Sequence, residues 1–305
     1  MDAQRAAGSA ARLSFILWHC LGLGVSSGVA QETLPSLEVW PSRSLILRGQ
    51  EPDPDASDEA EFPEVEPLET DRDSFTPATT TVGRGRWIAE AAYSFIDNRN
   101  TFETHSFPES LLRYGASERI ELRFGWNYEI DEDADTVSGG SSGGSAEGPK
   151  LAFENQLSYG LKLGVSEQAA WRPRSALIVQ GFTPTGGPAT TTDLVASYVV
   201  GWELPNRWQL DSAMRYGQTS EHHDHFNQWA PSIVLKVPVA DRWNAHIEYF
   251  GFRTDGRAEE KSVHYFSPGV HYRVTPDLEV GFRFGWGLND DSPKFFNNVG
   301  VGWRF

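Results

Sequence analysis

The sequence predicts an all-β fold: a 12-stranded antiparallel transmembrane β-barrel of the outer membrane, preceded by a disordered acidic N-terminal leader. Three observations predict it. From Arg84 onward apolar and polar residues alternate in segments of about 10 to 14 residues, the length a tilted strand needs to cross a bilayer. The connections between segments alternate between short and long, and the tryptophans gather near segment ends. Beyond the N-terminus no apolar run approaches the roughly 18 to 20 residues of a transmembrane helix, so the chain is either soluble or crosses as strands.

Residues 1–30 read as a secretory signal peptide. Arg5 and Arg12 precede an apolar stretch from Leu13 to Val25, and Gly28-Val29-Ala30 offers a small-residue cleavage site. Glycines at 22, 24 and 28 argue against a buried helix there. Cys20 follows the bulky Trp18 and His19, an unsuitable lipidation context, so the mature protein is expected to lack cysteine and with it disulfide, zinc-thiolate and cysteine-nucleophile chemistry.

Residues 31–83 are expected to form an acidic, Pro-rich periplasmic leader. Ten acidic residues and no basic one lie between Gly49 and Asp71, which accounts for ten of the formal charge of −16. With Pro52, Pro54, Pro63 and Pro67 interspersed, such a stretch buries too little apolar surface to offset the entropy of ordering it. No basic stripe is present to neutralise phosphates, so nucleic acid is not an expected partner.

The barrel is assigned to residues 84–305, with strands expected at 84–96, 102–114, 119–130, 151–165, 172–182, 191–203, 207–218, 226–239, 242–253, 261–274, 278–288 and 296–305. The eleventh is the clearest: Leu278, Val280, Phe282, Phe284 and Trp286 alternate with Glu279, Gly281, Arg283, Gly285 and Gly287. Tight turns follow the second, sixth, eighth and tenth strands. Longer loops are expected at 131–150, 183–190, 219–225, 254–260 and 289–295, with the short side periplasmic. These assignments put Trp87, Trp171, Trp202, Trp208, Trp243 and Trp303 at periplasmic ends and Trp126, Trp229 and Trp286 in the outer halves, two aromatic girdles. A soluble β-sandwich would hold its large aromatics mid-strand, facing a core. The last strand ends on Phe305, which resembles the sorting signal of outer-membrane barrels and makes the barrel assembly machinery an expected partner beside outer-membrane lipid.

Alternation directs Glu90, Glu121, Arg123, Glu129, Glu154, Lys162, Asp211, Arg215, Lys236, His246, Glu248, His271, Arg273, Glu279, Arg283 and Arg304 into the lumen. An Arg or Lys on the lipid side at the midplane would cost about 2 to 4 kcal/mol. A mixed-sign wall suits either a narrow solute pathway or a lattice of cross-strand ion pairs that rigidifies the barrel. Glu221-His222-His223-Asp224-His225, in an expected outer loop, matches no closed metal site, so no metal or cofactor is implied. His105 with Ser106 and His264 with Ser267 are the nearest hydroxyl–imidazole pairs. Neither has a glycine-flanked nucleophile setting, and no enzyme activity is expected.

Several motifs carry a resemblance. Glu69-Thr70-Asp71-Arg72-Asp73-Ser74-Phe75-Thr76, then Gly85-Arg86-Trp87 with Ala89-Glu90, then Leu112-Arg113-Tyr114-Gly115-Ala116-Ser117-Glu118-Arg119-Ile120-Glu121-Leu122-Arg123 resemble the outer-membrane transporter family named for the MetA pathway of phenol degradation. The likeness runs on through Gly181-Phe182-Thr183-Pro184-Thr185-Gly186 and Asp241-Arg242-Trp243 to Gly302-Trp303-Arg304-Phe305, and it departs at Asp73-Ser74, where members commonly carry Pro. It implies a barrel that passes small compounds, aromatic or hydrophobic ones among them, as an outer-membrane channel in a Gram-negative bacterium. The alternatives are a structural or adhesive barrel with a plugged lumen and, more remotely, a lipid-modifying enzyme. Asp71, Arg72 and Phe75 lie just before the first strand, so this segment is a candidate plug, with Arg72 expected to meet an inward carboxylate; a bare linker is the alternative.

Overall fold

The computed structural model describes residues 68–72, 74–99, 103–131, 152–186, 191–221, 224–256 and 260–305, all within one compact unit, Glu61–Phe305. The expected signal peptide and the acidic run Glu51–Glu66 lie outside the described residues. All twelve expected strands are present: β1 (Trp87–Asp97), β2 (Thr104–Ser117), β3 (Ile120–Asp131), β4 (Ala152–Ser166), β5 (Arg174–Gly186), β6 (Asp193–Leu204), β7 (Trp208–Glu221), β8 (Asp224–Ala240), β9 (Trp243–Asp255), β10 (Ser262–Thr275), β11 (Leu278–Gly287) and β12 (Phe295–Arg304). Each pairs antiparallel with its sequence neighbours, and β1 pairs with β12 to close the ring. Closure leaves no sheet edge unpaired, which backbone in hydrocarbon requires. The seam ends on reciprocal bonds: Trp87 N–H donates to Phe305 O and Phe305 N–H to Trp87 O, both 3.0 Å.

The barrel is inverted relative to a soluble protein. Along β11, Val280, Phe282 and Trp286 are exposed while Glu279 and Arg283 are buried. The same holds on β3, where Phe124 and Trp126 face out and Glu121, Arg123 and Asn127 face in. Trp208, Trp243 and Trp303 are exposed near the end that carries the short turns, and Trp126, Trp229 and Trp286 toward the other. Trp202 donates its indole N–H to the carbonyl of Trp171, 2.9 Å away.

Several boundaries differ from expectation. The loop expected at 219–225 is largely strand: β7 and β8 stay paired out to Ser220↔His225 and Glu221↔Asp224, and only 222–223 separate them. His222 and His223, two of the five residues of the candidate metal motif, lie outside the described residues. β5 likewise runs to Gly186 instead of ending at 182. Beyond the membrane a hairpin still gains from ladder hydrogen bonds, so the apolar pattern marks where lipid ends and not where pairing ends. At the other end β1 starts at Trp87, because Gly83 (φ 82°) and Gly85 (φ 76°) make a turn into it.

That turn leans on Gly115. A Cβ there would sit 1.6 Å from the Gly83 carbonyl oxygen, a backbone atom with nowhere to go, and the approach is fixed by Gly85 N–H to Gly115 O at 2.7 Å. Gly115→Ala is expected to destabilise the barrel by about 1 to 3 kcal/mol, the range of overpacking. A chemical-unfolding midpoint in lipid vesicles that matches the parent would refute this.

Candidate functional site: the barrel interior

Residues 68–82 run inside the barrel and are buried except at Glu69 and Thr80–Thr81, which are half-buried; Asp73 is outside the description. With no regular ladder of its own, the segment has its amides satisfied by carboxylates of the wall. Glu90 Oε2 on β1 accepts the N–H groups of Asp71 (2.8 Å) and Arg72 (3.0 Å). Glu248 on β9 accepts those of Phe75 (3.0 Å) and Thr76 (2.7 Å), one on each oxygen. Glu121 on β3 takes the Val82 N–H at 3.1 Å. Leaving a buried N–H unpaired costs about 1 to 3 kcal/mol, so these carboxylates fix the path of the segment.

Its side chains are held as firmly. Asp71 meets Arg123 at 2.7 Å, with Arg113 at 3.8 Å and Lys162 at 3.9 Å, and accepts the Ala78 N–H at 2.9 Å. Burial by itself would raise the Asp71 carboxyl, but Arg113, Lys162, Arg123 and the Ala78 amide outweigh it and hold it well below the ordinary carboxylate range. Asp71 is therefore ionised at neutral pH. Arg72 was expected to meet an inward carboxylate with its side chain. Its guanidinium lies in the field of the buried carboxylates Glu109 and Glu90 and donates to Ser110 O (2.6 Å) and Asn127 Oδ1 (3.3 Å), while its backbone N–H donates to Glu90. Glu69 receives the hydroxyl of Thr80 and the side-chain amide of Gln209. Thr70 lies so close to β12 that a Cβ at Gly302 would come within 2.2 Å of its Cγ2, so a bare position there makes room for the segment.

Phe75 joins an aromatic cluster. Its ring stacks on Phe250 (centroids 4.6 Å, interplanar 9°) and meets the Phe252 ring edge-on at 5.1 Å. Ile96, Ala230, Val263, Tyr265 and Phe296 complete the cluster, and the Arg215 guanidinium lies 4.5 Å over the Phe75 ring. Arg283 pairs with Glu248 at 3.1 Å and faces the Phe296 ring at 5.5 Å.

The remaining residues assigned inward are placed as follows. Glu90, Glu121, Arg123, Lys162, Glu248 and Arg283 are almost wholly buried and belong to the contacts above. Glu129, Asp211, Arg215, His246, His271, Glu279 and Arg304 are buried, and Arg273 and Lys236 half-buried. For Glu154 only the backbone position on β4 is described. Lys236 lies 3.8 Å from Asp211, His246 Nδ1 is 2.6 Å from His271 Nε2, and Arg304 bonds Asp277 at 2.8 Å near the short-turn end.

Two central residues, Arg113 and Glu109, are absent from the alternation-based set. Arg113 bonds both Glu121 oxygens (2.9 and 3.0 Å), Glu90 (3.0 Å) and the Glu69 carbonyl (2.8 Å). The cause is a bulge: pairing of β2 with β3 shifts between Ser106 and Glu109, so even positions face in before it and odd ones after. The candidate catalytic pairs are split across the wall, since His105 is exposed while Ser106 is buried, and His264 faces out while Ser267 is buried. Among the described residues no group of three or more His, Cys, Asp or Glu side chains is arranged to hold a metal.

A closed antiparallel barrel with an apolar exterior, a charged interior and an inserted chain segment defines the class of outer-membrane β-barrels. The chain belongs to the family described as "Putative MetA-pathway of phenol degradation", whose model matches residues 70–305. Its fold is similar to that of an outer membrane channel from Pseudomonas putida F1 (TM-score 0.52, 12% identity, 78% of this chain and 100% of that one). It is also similar to that of the NanC porin (TM-score 0.50, 8% identity, 71% and 98%). No curated protein matches the sequence.

Proposed function

We propose that the protein is a passive outer-membrane channel for small solutes, with aromatic or hydrophobic compounds as the favoured class, and that residues 68–82 are a plug closing its lumen in this state. The observation that carries the proposal is the grip on that segment from separate parts of the wall: Glu90 on β1 and Glu248 on β9 each hold two consecutive amides. A segment held in the lumen by hydrogen bonds and ion pairs can leave it without dismantling the ladder. The inward charges then form a polar wall, and Phe250, Tyr265 and Phe296 provide an apolar patch on it for rings. The similarity to a channel and a porin supports this reading through the fold they share.

Deleting residues 31–76 is expected to raise single-channel conductance in planar bilayers several-fold. Liposome swelling by the deleted protein should admit small neutral solutes. Unchanged conductance would remove the plug from the proposal. If no solute of any class permeates, a structural or adhesive barrel with a filled lumen is the better reading.

A further inference from the structure

The place that Phe75 occupies has the composition of a ligand site, and every part of it belongs to the barrel. One face of the ring lies flat on Phe250, its flank meets Phe252, and Arg215 of β7 stands over it at 4.5 Å. Phe250 is itself backed by Tyr265, stacked at 4.8 Å and 19°. Such a sandwich between an aromatic face and a guanidinium recognises a ring by dispersion and cation–π attraction. Beside the ring, Glu248 presents both oxygens to donors, the Phe75 and Thr76 N–H groups. The Phe75 nitrogen is two carbons from its ring. The site therefore reads a ring together with a hydrogen-bond donor two carbons away.

We infer that this is a solute-binding site, that Phe75 fills it as a tethered substitute, and that a solute carrying a ring and a nearby N–H or O–H donor opens the channel by displacing Phe75. The inference rests on the reading of residues 68–82 as a plug. It also narrows the solute class. Displacing the segment leaves Glu248 without two donors, which costs most unless the newcomer supplies one. An aromatic carboxylate would bring a second anion against Glu248 instead, so neutral aromatic amides and alcohols are favoured over aromatic acids. Because solute and Phe75 compete for one place, the apparent affinity is reduced by the fraction of time the site stands empty.

The test uses the full-length protein in planar bilayers with N-acetylphenylalaninamide as the probe, and with N-acetylleucinamide (donors, no ring) and phenylacetate (ring, anionic) as comparisons. The phenylalanine probe is expected to raise conductance several-fold and saturably, and the other two to leave it near baseline. Phe75→Ala should show raised basal conductance and bind the probe about tenfold more tightly by calorimetry, the competitor having gone. Phe250→Leu, which keeps apolar volume and removes the stacking face, should weaken that binding about tenfold, a loss of about 1.4 kcal/mol. Heat-modifiable migration on gels verifies that each variant is folded. Equal responses to all three compounds, or probe binding unchanged by Phe75→Ala, would overturn the site while a conducting 31–76 deletion left the channel standing. A deletion that conducts nothing would instead overturn the channel reading on which the site depends.

Discussion

Arg113→Ala is expected to cost about 3 to 5 kcal/mol of folding stability, the range for removing one member of a buried ion-pair network. Arg113 is 1% exposed and serves Glu121, Glu90, Asp71 and the Glu69 carbonyl at once. Without it, Asp71 and Glu121 are left to Arg123 and Lys162, and Glu90 keeps the Asp71 and Arg72 amides but loses the Arg113 guanidinium. The measurement is guanidinium unfolding from lipid vesicles. Arg113→Lys should recover only part of the loss, because an ammonium cannot fork onto both Glu121 oxygens. A loss below about 1 kcal/mol is the behaviour of an exposed pair and would mean that the network sits in water.

Phe282→Arg carries the second-largest expected effect, and it acts from the lipid-facing side of the wall, on β11. Phe282 is exposed at mid-strand, between the short-turn end at Leu278 and the outer Trp286, which puts it near the bilayer midplane. Placing a guanidinium there should cost about 2 to 4 kcal/mol, while Arg283, one residue on, is buried against Glu248 at no such cost. Unfolding in vesicles should show that loss, and detergent micelles, which deform around the charge, a smaller one. A cost near zero in vesicles would move Phe282 to the interface and shift the assigned membrane band along the barrel.

The strands were legible because the physics that builds them is one-dimensional. Val280, Phe282 and Trp286 had to lie on one face and Glu279 and Arg283 on the other, whatever the rest of the chain did, and period two is visible without knowing any partner. Strand ends were less legible: at Glu221 and Asp224 pairing continues after the apolar pattern has stopped. β2 failed locally, because the bulge between Ser106 and Glu109 changes which parity faces in, and Leu111, an apolar residue, turns inward and masks the flip. Arg113 and Glu109 were lost for that reason. Asp71, Arg72 and Phe75 stood out because charges and a ring lie just ahead of the first strand, yet their partners could not be read. A segment without periodicity has no register, so only coordinates could pair Phe75 with Phe250, or place the Arg72 guanidinium on a carbonyl.

The two carboxylate clamps differ in a way that bears on the order of assembly. Asp71 and Glu90 are 19 positions apart, whereas Phe75 and Glu248 are 173 apart. The first contact closes a small loop and can form as soon as β1 to β3 exist; the second waits until β9 is in place. Closing a loop of that length carries most of its entropic cost before any contact repays it, so distant pairs form late. The aromatic half of the inserted segment thus settles only when the wall is nearly whole. Burial of Phe75 would therefore serve as a clock for barrel completion, with the short-range clamp at Glu90 keeping the segment on the lumen side until the ring shuts around it.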